Sequence, residues 1–493
     1  MVEHSHLAWR ILVSRHLPSP PHSAPPVPDS LLSNTSQPPP VLSYTPMLHS
    51  RLYHSTLSYS QQNFPAAQGT LDGHPSYDRP LIAQFCANDP AAFLASAKLI
   101  APYVDAVDLN LGCPQGIARK GHYGSFLQNE WELIHNLIST LHNSTDLSIP
   151  VTAKIRIFDD KQRTLDYARM VLSAGASFLA VHGRTREQKG HNTGLADWET
   201  IRYLRTHLPP ETVIFANGNV LWPGDADQCL TTTGADGVMS AEGCLHNPTG
   251  IFLSPQTHPP EALFPRVDKV AREYLDILHT LVLPYTDLAL QGTKVGMKTP
   301  VVEPNLTNVK SHLFKLFHAL LPRYPEVRRR LAVSRPIHPR NDQAIDPLRD
   351  FVEVVDAVEG IIEQHLQDNP EDQLNAPDTP PPTMTRCGDW LVPHGGWVGP
   401  KRKENDPHTW DVPWYRTQPY LRPLPEEAVR NGAMAASILQ KGTAKAVVEG
   451  KGSEKGDSTP GDGGDVVEGQ ERNVKRIKLD GSVNWNEITN HLR

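Results

Sequence analysis

The sequence predicts an α/β fold on one parallel sheet, a (β/α)8 barrel short of its first strand. Three observations lead there. Short β-rich runs alternate with amphipathic helical stretches from residue 42 onward, a pattern that implies parallel strands joined by crossover helices. Seven such runs occur where a closed barrel needs eight. Polar and reactive residues also collect at the C-terminal ends of the runs, the face on which barrel enzymes carry their chemistry. An open doubly wound sheet satisfies the first two observations; the third favours the barrel.

In order, the runs are Val41–Thr45, Leu81–Phe85, Val104–Leu109, Val151–Ile155, Phe178–His182, Val213–Ala216 and Gly237–Ser240. Between them Ala91–Ile100, Trp131–Leu141, Thr164–Ala174 and Trp198–Leu208 place apolar residues at three-to-four spacing, the mark of a helix with one buried face. The chain opens on a helical stretch, Leu7–Leu12, with no strand before it. Residues 1–17 are therefore expected as the first barrel helix, 18–40 as a proline-rich insert and 41–254 as the barrel. Helical periodicity in Val267–Leu281, Thr307–Leu321 and Asp346–Leu366 predicts a small helical domain over 255–368. Beyond 369, proline, glycine and charge predict a mostly disordered region to 493.

Composition supports this division. Proline accounts for 46 of 493 residues. Nine prolines fall between Pro18 and Pro40 and twelve between Pro370 and Pro425, against nine in the 175 residues from Pro80 to Ser254. The middle is an ordinary globular share, and the flanks read as linkers. No apolar run is long enough to span a membrane, and Met1 to Arg15 lacks the apolar stretch of a secretion signal. Five cysteines without a CxxC pair argue against a disulfide framework or a zinc ribbon. Net charge is −7, yet Val309 to Arg340 carries eight Lys or Arg and a single acid, Glu326.

The most informative segment is Asp108-Leu-Asn-Leu-Gly-Cys-Pro-Gln115. Cys113, on a turn just past a strand end, would sit at the mouth of the sheet. An ordinary thiol is mostly protonated at neutral pH and can donate a proton; a buried structural cysteine is the alternative. Lys154 and Arg156 alternate onto one strand face, so two cations would meet in the interior and call for an anionic or electron-rich ligand, unless that strand is a solvated edge. His182 follows an apolar strand, where a packed histidine is common, but it shares its level with Cys113 and Lys154. The turns Ala216-Asn-Gly-Asn-Val220 and Ser240-Ala-Glu-Gly243 fall at the two loops where such barrels bind phosphate. No GxGxxG follows a strand, so a Rossmann dinucleotide site is not indicated. The basic stretch around Lys310, Lys315, Arg328 and Arg329 suits a phosphate backbone better than a solvated face, which would mix its signs. Lys475-Arg-Ile-Lys-Leu-Asp480 has the form of a short nuclear import signal, and the expected location is cytoplasm, nucleus or both.

Together these motifs resemble the flavin-dependent tRNA-dihydrouridine synthases, in the eukaryotic branch acting on D-loop uridines 16 and 17. The resemblance runs from about Leu42 to Phe252 and through the basic helix. It also rests on Tyr44-Thr-Pro-Met-Leu-His49, Pro80–Pro90, Gly121-His-Tyr-Gly-Ser-Phe-Leu127 and Val181-His-Gly-Arg-Thr-Arg186; Trp414–Pro425 is similar to a C-terminal segment of that branch. It implies FMN across the barrel mouth, with Gln84, Lys154 and His182 near the isoalloxazine. The flavin phosphate would rest on Asn217, Gly218, Asn219 and the turn Ala241, Glu242, Gly243. NADPH or NADH would be the reductant, Cys113 the proton donor, and Asn110 and Arg156 the residues on the uracil edge. It further implies tRNA gripped through the basic helical part, with Lys310, Lys315, Arg328 and Arg329 as the expected contacts. No membrane and no obligate protein partner are expected, and the expected state is a monomer. Met1-Val2 stands where the family's first strand ends, so the barrel edge would be unpaired and the flavin floor incomplete. The catalytic and RNA-binding parts would need only about Leu42 to Leu366. Two alternatives are a catalytically impaired tRNA-binding protein and an FMN-barrel oxidoreductase acting on a small molecule.

Overall fold

The computed structural model describes residues 4–16, 41–284, 304–337, 346–370 and 412–420, and the single residues 372, 422, 425 and 429. The proline-rich insert, the Met1-Val2 pair, most of the region beyond 369 and the Lys475–Asp480 motif lie outside them.

Eight parallel strands form one sheet: β1 Ser43–Tyr44, β2 Leu48–His49, β3 Leu81–Cys86, β4 Ala106–Leu111, β5 Val151–Arg156, β6 Phe178–His182, β7 Val213–Asn217 and β8 Gly237–Met239. Their order is β1-β3-β4-β5-β6-β7-β8, with β2 also paired to β3. All seven expected runs are strands, and the two-residue β2 is additional. Among the described residues no strand joins β8 to β1, so the path is open there.

The crossover helices start where the sequence can cap them. Asp89, Asp160 and Asp197 each stand at the N-cap of a helix (Pro90–Ile100, Lys161–Ser173, Trp198–His207) and accept backbone N–H groups of its first turn. Each such cap contributes about 1 kcal/mol. A further crossover helix, Asp225–Thr233, lies between β7 and β8; its run of Thr and Asp carries little apolar periodicity. Between the sheet and these helices, apolar side chains from β3 to β7 and the helices' inner faces form one buried cluster that includes Phe85, Leu109, Ile155, Tyr167 and Ile201.

The helices after the sheet have their own core. Val267–Ile277 continues into a π-helical turn, Leu278–Val282, and packs with Pro304–Leu316 and Arg349–Asp368 around Tyr274, Phe317 and Phe351. The first helix, Leu7–Arg15, puts Leu7, Trp9 and Leu12 into this same cluster, with Trp9 stacked on His312 at 4.0 Å between ring centroids. Its buried Arg10 pairs with Asp72 (3.2 Å) and Asp78 (2.6 Å), tying the helix to the loop that precedes β3. Residues 412–420 pack here too, with Tyr415 buried. These residues fall within the region beyond 369 that the sequence reads as mostly disordered. No helix of the described residues is long and apolar enough to cross a membrane.

Candidate active site

Strand register aligns the polar side chains. Gln84 pairs with Asp108, Asn110 with Lys154, and Arg156 with His182, which pairs in turn with Asn217. These residues sit at the C-terminal ends of β3 to β7, the level expected from the sequence. Lys154 Nζ donates to Asn217 Oδ1 at 2.9 Å. Because β6 stands between these two strands, the contact requires the sheet to curve toward its polar face.

The Cys113 turn is tied down from both sides. Asn110 Oδ1 accepts from the N–H groups of Gly112 (3.0 Å) and Cys113 (2.9 Å), and its Nδ2 donates to Gln84 Oε1 at 2.8 Å. Arg156 Nε donates to Gly112 O at 2.7 Å, and its Nη1 to Thr185 O (2.6 Å) and Gln188 O (3.1 Å). Both residues named for the uracil edge thus also brace the loops beside Cys113. Ser125 donates through its N–H (3.1 Å) and its hydroxyl (2.9 Å) to Cys113 O. Gly124, at φ +67°, lies so close that an added Cβ would come 2.8 Å from that carbonyl oxygen. The Gly121–Leu127 motif is therefore the buttress of the cysteine. Burial raises the Cys113 thiol above the ordinary range against the pull of a Gln115 backbone hydrogen bond and the nearby cations, so it holds its proton at neutral pH.

Around it lies a concentration of positive charge. Lys154 is pushed down to about 8 by burial and by Arg156, and Asp108 is pushed up to about 6 by burial. Both remain charged at neutral pH. Asp108 accepts from Gln84 Nε2 (2.9 Å) and Thr152 Oγ1 (2.8 Å). His182 is held well below its ordinary value, first by burial and then by Lys154, Arg156 and Arg184, so it is neutral. Arg184 Nη1 lies 3.1 Å from His182 Nε2; because a guanidinium only donates, that nitrogen accepts and the ring proton sits on Nδ1. Three cations, Lys154, Arg156 and Arg184, share the site with one buried carboxylate, Asp108. Such an excess favours an anionic ligand.

The turn after β7 has the shape and the unmet valence for one. Gly218 adopts φ +109°, and a Cβ there would meet Ala196 Cβ at 2.7 Å and His182 Cδ2 at 3.0 Å. Asn219 is also left-handed, at φ +61°. Its Oδ1 accepts from Arg184 Nη2 at 2.5 Å, while its buried Nδ2 has no hydrogen-bond partner. A buried amide left open is costly unless something fills it. Asn217 Nδ2 donates to Met239 O at 2.7 Å, joining this turn to the end of β8 and so to the helix Glu242–His246.

A family model described as dihydrouridine synthase matches residues 1–298. The chain belongs to that family. It is 43% identical over 460 residues to the tRNA-dihydrouridine(16/17) synthase, NAD(P)(+), of Saccharomyces cerevisiae, covering 92% of this chain and 91% of that protein. Identity to the protein of the same name from Schizosaccharomyces pombe is also 43%, over 86% of this chain and 87% of that one. A mouse protein named tRNA-dihydrouridine(20a/20b) synthase-like is 33% identical over 46% of this chain and 66% of its own length.

The structure brings Gln84, Asn110, Cys113, Lys154, Arg156, His182, Asn217, Gly218 and Asn219 to one end of the sheet, with Ala241, Glu242 and Gly243 at the neighbouring strand end. It does not gather the four basic residues. Lys310 Nζ donates to Ala332 O at 2.8 Å, and Arg328 and Arg329 are exposed on the adjoining helix Pro325–Val333. Lys315 is half-buried instead and feels the charge of Glu242. Sequence reasoning named neither Asp108 nor Arg184 as site residues, although both lie inside motifs it singled out.

Proposed function

We propose that this chain is a tRNA-dihydrouridine synthase of the 16/17 class, reducing the C5–C6 bond of D-loop uridines with FMN and NAD(P)H. We read the sheet as a (β/α)8 barrel whose open β8–β1 seam is the place of the first strand, and residues 255–368 as the RNA-gripping part. The observation that carries the reading is the braced, protonated Cys113 beside a cation-rich strand-end site. Family membership and the 43% identity to the two fungal proteins support it, and the lower identity to the 20a/20b protein favours the 16/17 class.

The residues present fit FMN. The orphaned Asn219 Nδ2 and the close turn at Gly218 suit its phosphate, with Asn217 and the backbone of Ala241, Glu242 and Gly243 around it, while Gln84, Lys154 and the neutral His182 suit the polar edge of the ring system. Bound there, FMN would supply to C6 of uracil a hydride drawn from NAD(P)H. Cys113 holds at Sγ the proton destined for C5, so that uridine, NAD(P)H and one proton yield dihydrouridine and NAD(P)+. Asn110 and Arg156 fix the Cys113 turn while lying at the edge of the space for the base, which must leave its stack to reach it. Lys310, Arg328 and Arg329 meet RNA phosphate on the outer helices, and Lys315, half-buried within the influence of Glu242, completes the set. Mapping dihydrouridine in tRNA from cells lacking the protein, with and without this chain restored, tests the reading. Restored dihydrouridine at 16 and 17 is expected; restoration at 20a or 20b only, or none, refutes the assignment.

A further inference from the structure

The residues Val412–Tyr420 are pinned by hydrogen bonds to the body of the chain, among them Arg416 Nη1 donating to Phe264 O at 2.9 Å. Tyr415 O accepts from Val267 N (3.0 Å), Thr417 N donates to Pro265 O (2.9 Å), and the buried Thr417 hydroxyl donates to Asn247 Oδ1 (3.0 Å). The Tyr420 ring then stacks on His246, with centroids 5.7 Å apart. This path delivers Arg422 to Glu242, where the guanidinium grips the carboxylate through Nη2 (2.8 Å) and Nε (3.0 Å). Glu242 is the first residue of the helix after β8, and both it and Arg422 influence the charge of Arg184, the residue that holds Asn219.

A bare carboxylate at that place would oppose a phosphate. We propose that Arg422, carried in from the C-terminal segment, is a positioning and charge-screening residue for the anion site: it neutralises Glu242 so that the turns after β7 and β8 can accept the flavin phosphate. The inference rests on the flavin reading above. The pair is partly solvated, with side-chain exposures of 44% for Arg422 and 24% for Glu242, which moderates its effect. Its bidentate geometry and its electrostatic influence on the half-buried Arg184 set it apart from an ordinary surface pair.

The test is flavin titration, by fluorescence quenching, of the flavin-stripped full chain as wild type, Arg422→Ala, Arg422→Lys and the double variant Arg422→Ala/Glu242→Gln. Arg422→Ala is expected to weaken FMN about tenfold or more, the scale of one uncompensated charge in a half-buried site. Riboflavin, which lacks the phosphate, should bind as to wild type. Arg422→Lys should recover part of the loss and the double variant most of it, since no carboxylate then needs screening. Equal losses for FMN and riboflavin, or no loss, overturn the inference even though wild type binds flavin. Wild type binding neither flavin removes the underlying reading and the inference with it. A loss of tRNA affinity with FMN unchanged would assign the screened phosphate to RNA and likewise overturn it.

Discussion

Replacing Lys154 with Met should make the flavin-free protein more stable and the enzyme worse. The ammonium is largely buried, and its fall from 10.5 to about 8 corresponds to about 3 kcal/mol of cost for keeping it charged in the folded state. The hydrogen bond to Asn217 offsets about 1 kcal/mol, and partial access to solvent reduces the remainder. A gain of about 1–2 kcal/mol is left for an unbranched apolar replacement, or about 2–4 °C in a chain of this size. The sign with pH is fixed by linkage. Below pH 8 the lysine is protonated in both folded and unfolded states, and the cost is fully present. Between about 8 and 10.5 the unfolded chain binds the proton that the folded chain has released, so wild-type stability rises with pH. The advantage of Lys154→Met should therefore be greatest at pH 7–8 and shrink steadily toward pH 9.5, read as melting temperatures of both flavin-free proteins across that range. FMN affinity should fall at least tenfold in the same variant. A variant that melts below wild type at pH 7, with a gap independent of pH, would refute this account of the charge.

Three further outcomes follow from the geometry. Gly218→Ala places a Cβ against Ala196 and His182 at positive φ, a strain of about 1–3 kcal/mol before any clash, and should weaken FMN at least tenfold by fluorescence titration. Asn110→Ala unties the N–H groups of Gly112 and Cys113, and should lower kcat about 10–100-fold while FMN affinity changes less than fivefold. Neutralising Arg328 and Arg329 together should weaken tRNA binding by about tenfold and lower the slope of log affinity against log salt by about 1–2, with no change in flavin affinity.

The parts of this fold legible in the sequence were those governed by local pattern. Alternation and three-to-four spacing located the seven strand runs because each buries a face continuous along the chain. Lys154 and Arg156 could be paired because a strand period of two puts them on one side. What escaped depends on contacts distant in sequence. The two-residue strand Leu48–His49 exists only through its pairing with β3. Asp108 reads as one more polar residue in a strand until register sets Gln84 and Thr152 beside it. Arg184 looks like a loop cation, yet it is half-buried and bonded to both His182 and Asn219. The apolar face of Leu7–Arg15 was visible, but the helices it packs against lie more than 250 residues away. Arg422 reaches Glu242 across 180 residues, in a stretch whose proline content read as linker.

The most direct measurement compares wild type with Cys113→Ala in single-turnover reduction of an unmodified tRNA. FMN and tRNA affinities within about threefold of wild type, with dihydrouridine formation down about 100–10,000-fold, would match the loss of a positioned proton donor. Undiminished turnover in Cys113→Ala would contradict the role given to that thiol.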